Sequence, residues 1–103
     1  MKNFVEFWPF YVREHNSPLN RRLHFIGTLL AMMSLGWGLA TMNPLCFLLT
    51  PVFGYSFAWI GHFGVQGNKP ATFKHPLWSL IADFKMFGLM ATGKMDDEVK
   101  KFG

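Results

Sequence analysis

The chain has 103 residues, a single cysteine and a net charge of +4, and only 16% of its residues are charged, against roughly 25% in soluble domains. That length excludes several domains, the lone Cys46 excludes an intramolecular disulfide and a cysteine-based zinc site, and a 50% hydrophobic composition excludes intrinsic disorder. Twelve Phe, four Trp and two Tyr carry more aromatic surface than so small a core can bury, which directs part of it toward lipid or an interface.

Phe4, Phe7, Trp8 and Tyr11 fall at i, i+3, i+4 and i+7, which predicts a short helix lying in a membrane interface, kinked or restarted at Pro9. From Leu23 to Asn68 no residue is charged. At 1.5 Å per residue, such a run of about 46 residues suffices for two crossings of a hydrocarbon core plus a turn. The predicted spans are 23–42 and 45–65, with Asn43 and Pro44 supplying the turn. A soluble hairpin would keep a polar face, and Thr28, Ser34, Thr41, Thr50 and Ser56 are too few to form one. Gly36 with Ala40, and Gly54 with Ala58, offer small residues at helical spacing for close packing in lipid.

Arg21, Arg22, Lys69 and Lys74 flank the open end of this hairpin, whereas its turn carries no charge. The positive-inside rule therefore predicts that both ends of the hairpin face the cytoplasm, in a bacterial inner membrane or an endoplasmic reticulum. The excess of basic residues reads as attraction to lipid headgroups rather than to nucleic acid, and no glycine pattern supports nucleotide binding. Pro76 suits the first turn of a third helix over 76–92, with Leu77, Leu80, Ile81 and Phe84 on one face and His75, Ser79, Asp83 and Met86 on the other. Asp83 and Lys85 make it a poor third crossing, so it is expected to lie on the cytoplasmic side or to re-enter against the hairpin. Residues 93–103 read as a solvated, frayed tail. The expected fold is thus one all-α membrane domain: a two-span hairpin with an N-terminal interfacial helix and a C-terminal amphipathic or re-entrant helix.

His15, His24, His62 and His75 come from four separate segments that this topology returns to one membrane face. Neutral imidazole ligates iron, zinc or copper, and ionisable groups at membrane depth are costly enough to imply a use, so all four are candidate metal ligands. Each taken singly also fits a hydrogen-bonded interfacial group. Asn20, four residues before His24, and Gln66, four residues after His62, are placed to orient imidazoles. Asp83 is read either as orienting or binding the metal, or as the partner of Arg21, Arg22 or Lys74. Arg21 and Arg22 are candidates to grip a carboxylate headgroup bidentately.

The block FWPFYVREHNSPLNRRLHFIGTLLA, followed by GYSFAWIGHFGVQGNKPATFKHPLWSLIADFKMF, resembles the 2-hydroxy fatty acid dioxygenase-like family of small membrane proteins over residues 4–87. The motifs carrying the likeness are His15, Asn16, Asn20 and His24 at the first span, then Gly61, His62, Pro70 and Ala71. The resemblance implies a membrane enzyme that uses Fe2+ and dioxygen to remove one carbon from a 2-hydroxy fatty acid derived from phytosphingosine, with His15, His24 and His62 as iron ligands and catalytic residues. His75 matches only the short relatives. Gln66 departs from the family's usual Glu, and an amide cannot serve as a carboxylate ligand or base. The longer relatives carry additional hydrophobic segments between the two blocks, so a homodimer is a second expectation for enclosing substrate. The alternatives are a non-catalytic membrane adaptor and, behind it, a haem protein ligated from two spans.

Overall fold

The computed structural model describes residues 1–103 as an all-α chain without sheet. Short polar residues and prolines set where its helices begin. Asn3 accepts the Glu6 N–H through its side chain and starts α1 (Phe4–Glu14), which passes through Pro9 as one helix rather than restarting there. Ser17 accepts the Asn20 N–H, and Pro18 opens α2 (Pro18–Thr41). Left-handed Met42 ends α2, and Asn43 caps α3 (Pro44–Trp59) by accepting the Leu45 N–H. The chain then continues as a π-helix (Ile60–Gln66) that stops at Gly67, with φ 73°. A 3-10 turn (Ala71–Phe73), α4 (Pro76–Ala91) and α5 (Met95–Phe102) complete it.

Helices α2 and α3 pack antiparallel. Near their turn the Ser34 hydroxyl donates to the Cys46 carbonyl at 2.8 Å, and further along Gly27 faces Phe53 and Phe57. A Cβ on Gly27 would lie 2.7 Å from the Phe57 Cβ, so this glycine sets the approach of the two helices, whereas Gly36, expected to do so, faces open space. Pro18–Thr41 and Pro44–Gln66 are both long and apolar enough to cross a membrane. Their apolar surface points outward: α3 has no buried residue, and Trp37 and Leu48 are each more than 60% exposed. The core helix of a soluble protein would instead be covered on most sides.

The buried core lies in a second layer, and two expectations change there. The stripe of α1 does not face an interface. Phe7, Trp8, Tyr11 and Val12 are buried against α4 and α5, where each large side chain contributes about 1.5–3 kcal/mol. The segment after Gly93 is not a frayed tail. α5 buries Met95, packs Val99 and Phe102 on the core, and uses Glu98 to accept the Trp8 indole N–H at 3.0 Å, while Lys85 caps the Trp8 ring face at 4.2 Å. Helix α4, finally, is inside out by the standard of soluble proteins. Ser79, Ala82 and Met86 are buried while Leu77, Leu80, Ile81 and Phe84 are exposed, so its small and polar face points inward and its apolar face outward.

Candidate metal centre

His15 follows the last residue of α1, His24 sits in the second turn of α2, and His62 lies within the π-helix; all three are buried. Local backbone geometry fixes their tautomers. The Nδ1–H of His15 donates to the Tyr11 carbonyl at 2.7 Å, and that of His24 donates to the Asn20 carbonyl at 3.0 Å. A carbonyl can only accept, so both protons are on Nδ1 and both Nε2 atoms carry lone pairs. His62 is fixed in the same way by Asn68, whose Nδ2 donates to Glu14 and whose Oδ1 therefore accepts from His62 Nδ1 at 2.7 Å.

The three Nε2 atoms converge. His15 Nε2 is 3.0 Å from that of His24 and 3.0 Å from that of His62, and the rings stand nearly perpendicular to one another. Burial, reinforced by the neighbouring imidazoles of His24 and His62, holds His15 well below the ordinary histidine range and therefore neutral. Facing lone pairs with no proton between them repel, and a cation at their centre removes the conflict. Two nitrogens about 2.1 Å from one ion and about 90° apart would themselves lie about 3.0 Å apart, so the spacing fits a metal. His15, His24 and His62 are accordingly the group able to hold one. Each donates its second ring nitrogen to an oxygen, the usual arrangement around ligating histidines.

The other predicted residues take different positions. His75 is not in the cluster; it precedes α4, with its ring stacked on Trp78 and edge-on to Phe7. Asn20 orients His24 through its backbone carbonyl, while its side chain crosses to the π-helix, with Nδ2 donating to Gln66 Oε1 at 2.9 Å. Gln66 touches no histidine. Its Oε1 also accepts the Ser17 N–H, and its Nε2 donates to the Glu14 carbonyl, so it straps the end of α1 to the start of α2. The amide thus acts between backbone segments and Asn20 rather than on a ring of the triad. Arg21 and Arg22 do not face the histidines either. They line a separate pocket with Asp96, and Arg21 donates to the carbonyls of His15 and Asn16, capping the end of α1. Asp83 pairs with none of the basic residues; it accepts the Tyr11 hydroxyl, and the Tyr11 ring stacks on His15 with centroids 3.9 Å apart.

Asn68 was not anticipated, because nothing in the sequence ties a residue six positions after His62 to its ring. Only the π-helix and left-handed Gly67, which donates its N–H to the His62 carbonyl, fold the chain back far enough for Asn68 to reach that ring. Asn68→Ala is expected to weaken metal affinity about 10–100-fold while leaving the helices intact, the usual effect of removing an orienting partner. A titration against a competing chelator beside a circular dichroism spectrum reads both.

Burial raises the Asp83 carboxyl to about 6, with the Tyr11 hydroxyl opposing the shift, while the Tyr11 phenol itself is held well above its ordinary value. Folding thus favours the protonated carboxyl, which contributes stability below pH 3.8 that is lost as pH rises toward about 6. Asp83→Asn is expected to be more stable than the parent at pH 7 by about 2 kcal/mol, allowing for partial exposure, and to lose that advantage below about pH 4. Unfolding curves at the two pH values measure it.

A cavity of about 270 Å³ opens from the triad between α2, α3 and α4, with Thr28 and Ala31, Gly54 and Ala58, and Leu80 and Phe84 among its walls. Two helices of membrane-spanning length, a buried three-histidine cluster able to hold a metal and an apolar cavity beside it define the class: all-α chains with two candidate membrane spans and a candidate metal site among their helices. The sequence model of the family described as "2-hydroxy-palmitic acid dioxygenase Mpo1-like" matches residues 1–95, and the chain belongs to this Mpo1-like family. No curated protein and no solved structure matches the chain.

Proposed function

We propose that the chain is an Fe(II)-dependent dioxygenase-like membrane enzyme that shortens 2-hydroxy fatty acids by one carbon. The observation that carries this reading is the convergence of three lone-paired Nε2 atoms, from His15, His24 and His62, on the end of an apolar cavity. Family membership supplies the substrate class. His15, His24 and His62 would hold the ion, which when bound supplies redox chemistry with dioxygen and Lewis acidity toward the acid's oxygens. The protein's part is to keep the imidazoles neutral and aimed through Tyr11, Asn20 and Asn68, and to exclude water from the apolar end of the cavity. The wall formed by α3 and the start of the π-helix, from Thr50 to His62, extends for about 18 Å, which suits a long acyl chain laid along it.

In this reading α2 and α3 with its π-helix cross the bilayer, and the outward apolar face of α4 meets lipid. At 16 residues, about 24 Å, α4 is too short to span. Arg22, Lys69 and Lys74 then mark the cytoplasmic side, in a bacterial inner membrane or an endoplasmic reticulum. A haem does not suit the site, because imidazole nitrogens 3.0 Å apart leave no room for a macrocycle between them. The anaerobically iron-loaded chain is expected to consume dioxygen on addition of 2-hydroxypalmitate and to release the acid one carbon shorter, detected by mass spectrometry. Iron-loaded protein that leaves 2-hydroxypalmitate unchanged would return the chain to the adaptor reading.

A further inference from the structure

Along α4 the cavity wall carries two polar side chains. Ser79 and Asp83 lie four residues apart on the inward face of α4, and both line the cavity that the three histidines close. Ser79 is 2% exposed, yet its hydroxyl has no hydrogen-bond partner. Leaving a buried hydroxyl unpaired costs about 1–3 kcal/mol, and an alanine would fill the same place without that cost. Asp83 uses one carboxyl oxygen to accept the Tyr11 hydroxyl, which leaves the other without a protein donor. One free donor and one free acceptor, a helical turn apart, therefore face a cavity that is otherwise mostly apolar. A carboxylate only accepts hydrogen bonds and so cannot satisfy Asp83, whereas a hydroxyl both donates and accepts.

We propose that Ser79 and Asp83 are the specificity-determining pair of this cavity and receive a hydroxyl on the acyl ligand close to its acid end, Ser79 donating to the hydroxyl oxygen and Asp83 accepting its proton. The inference rests on the reading of the cavity as a fatty acid site. It assigns recognition of the hydroxyl to α4 and leaves the histidines to the metal. A site built to bond a ligand hydroxyl discriminates strongly against the analogue that lacks it, because its own polar groups are then left buried and unpaired.

The test is equilibrium binding of 2-hydroxypalmitate and of palmitate to the full chain in detergent, freed of metal by chelation, for the wild type, Ser79→Ala and Asp83→Asn. The wild type is expected to bind the hydroxy acid at least roughly tenfold more tightly than palmitate. Ser79→Ala is expected to bring that ratio to about one by weakening only the hydroxy acid, and Asp83→Asn to lower it as well. The hydroxyl of Ser79 has no partner to lose, so the alanine variant folds, and its unchanged palmitate affinity reports that the cavity is intact. Equal binding of the two acids by the wild type, or a ratio that survives Ser79→Ala, overturns the proposal while leaving the fatty acid reading in place. Binding of neither acid overturns both. The metal-free arm also separates this proposal from the iron reading, since hydroxyl preference there owes nothing to the triad's ion.

Discussion

Reconstituted anaerobically with Fe(II), the detergent-purified chain is expected to hold about one iron per molecule, and His24→Ala or His62→Ala to hold less than roughly a tenth of that. The effect is large because each variant deletes one of only three nitrogens in the cluster, and the fourth histidine, His75, lies outside it, packed on Phe7 and Trp78. Affinity should fall by more than the roughly 100-fold that marks the upper end for losing an orienting partner, which places the triad variants clearly below Asn68→Ala. Neither substitution removes a member of the hydrophobic core formed by α1, α4 and α5, so the helical content should persist. Elemental analysis of the purified proteins decides the matter. Iron absent from all three proteins would mean that the family's fold is kept here without its metal chemistry.

Gly61→Ala is expected to destabilise the chain by about 3 kcal/mol, the upper end of the usual cost of overpacking. A Cβ at this position would stand 1.9 Å from Asn20 Oδ1 and 2.9 Å from its Cγ. Asn20 has no freedom to move aside, because it is fully buried and its amide is bonded to Gln66. The direction is informative, since replacing glycine by alanine inside a helix ordinarily stabilises by about 0.5–1 kcal/mol. Gly36→Ala, where nothing lies within 4 Å, is the matched control and should show that small gain. The Asn20 carbonyl also holds the Nδ1–H of His24, so any shift that relieves the Gly61→Ala clash should lower iron affinity too. Unfolding in detergent, with iron content measured on the same preparations, checks both parts. A Gly61→Ala chain as stable as the Gly36→Ala control would show that the π-helix does not press on α2 as described.

The two long helices were legible because their signal is one-dimensional. An uncharged run of that length, broken only by Asn43 and Pro44, has few folded solutions, and helices over Pro18–Thr41 and Pro44–Gln66 follow. Three of the four histidines were legible for a similar reason, since the hairpin must return His24 and His62 to the same end. His75 was over-read. Its spacing from Ser79 and Asp83 places it on their helical face only if it lies within the helix, whereas it precedes Pro76 with a non-helical backbone and turns toward Phe7.

The burial of the α1 stripe and the fate of the C-terminal segment were settled by packing. A stripe such as Phe4, Phe7, Trp8 and Tyr11 fits lipid or protein equally well, and what covers it is α5, a helix too short and too charged to be read as part of a core. The role of Gln66 could not be read either, because four-residue spacing places it beside His62 on an α-helix, while the chain there is a π-helix that turns it toward Glu14 and Ser17 and brings Asn68 to the ring instead. The sequence by itself determined an all-α chain, its two long apolar helices and the residues with metal chemistry, because length, charge and periodicity are properties of the chain alone. Only the tertiary structure decided which nitrogens converge, which oxygens fix their tautomers and which hydroxyl is left unpaired, because those depend on residues far apart in the chain being brought together, as Tyr11 and Asp83, 72 residues apart, are brought within one hydrogen bond of each other.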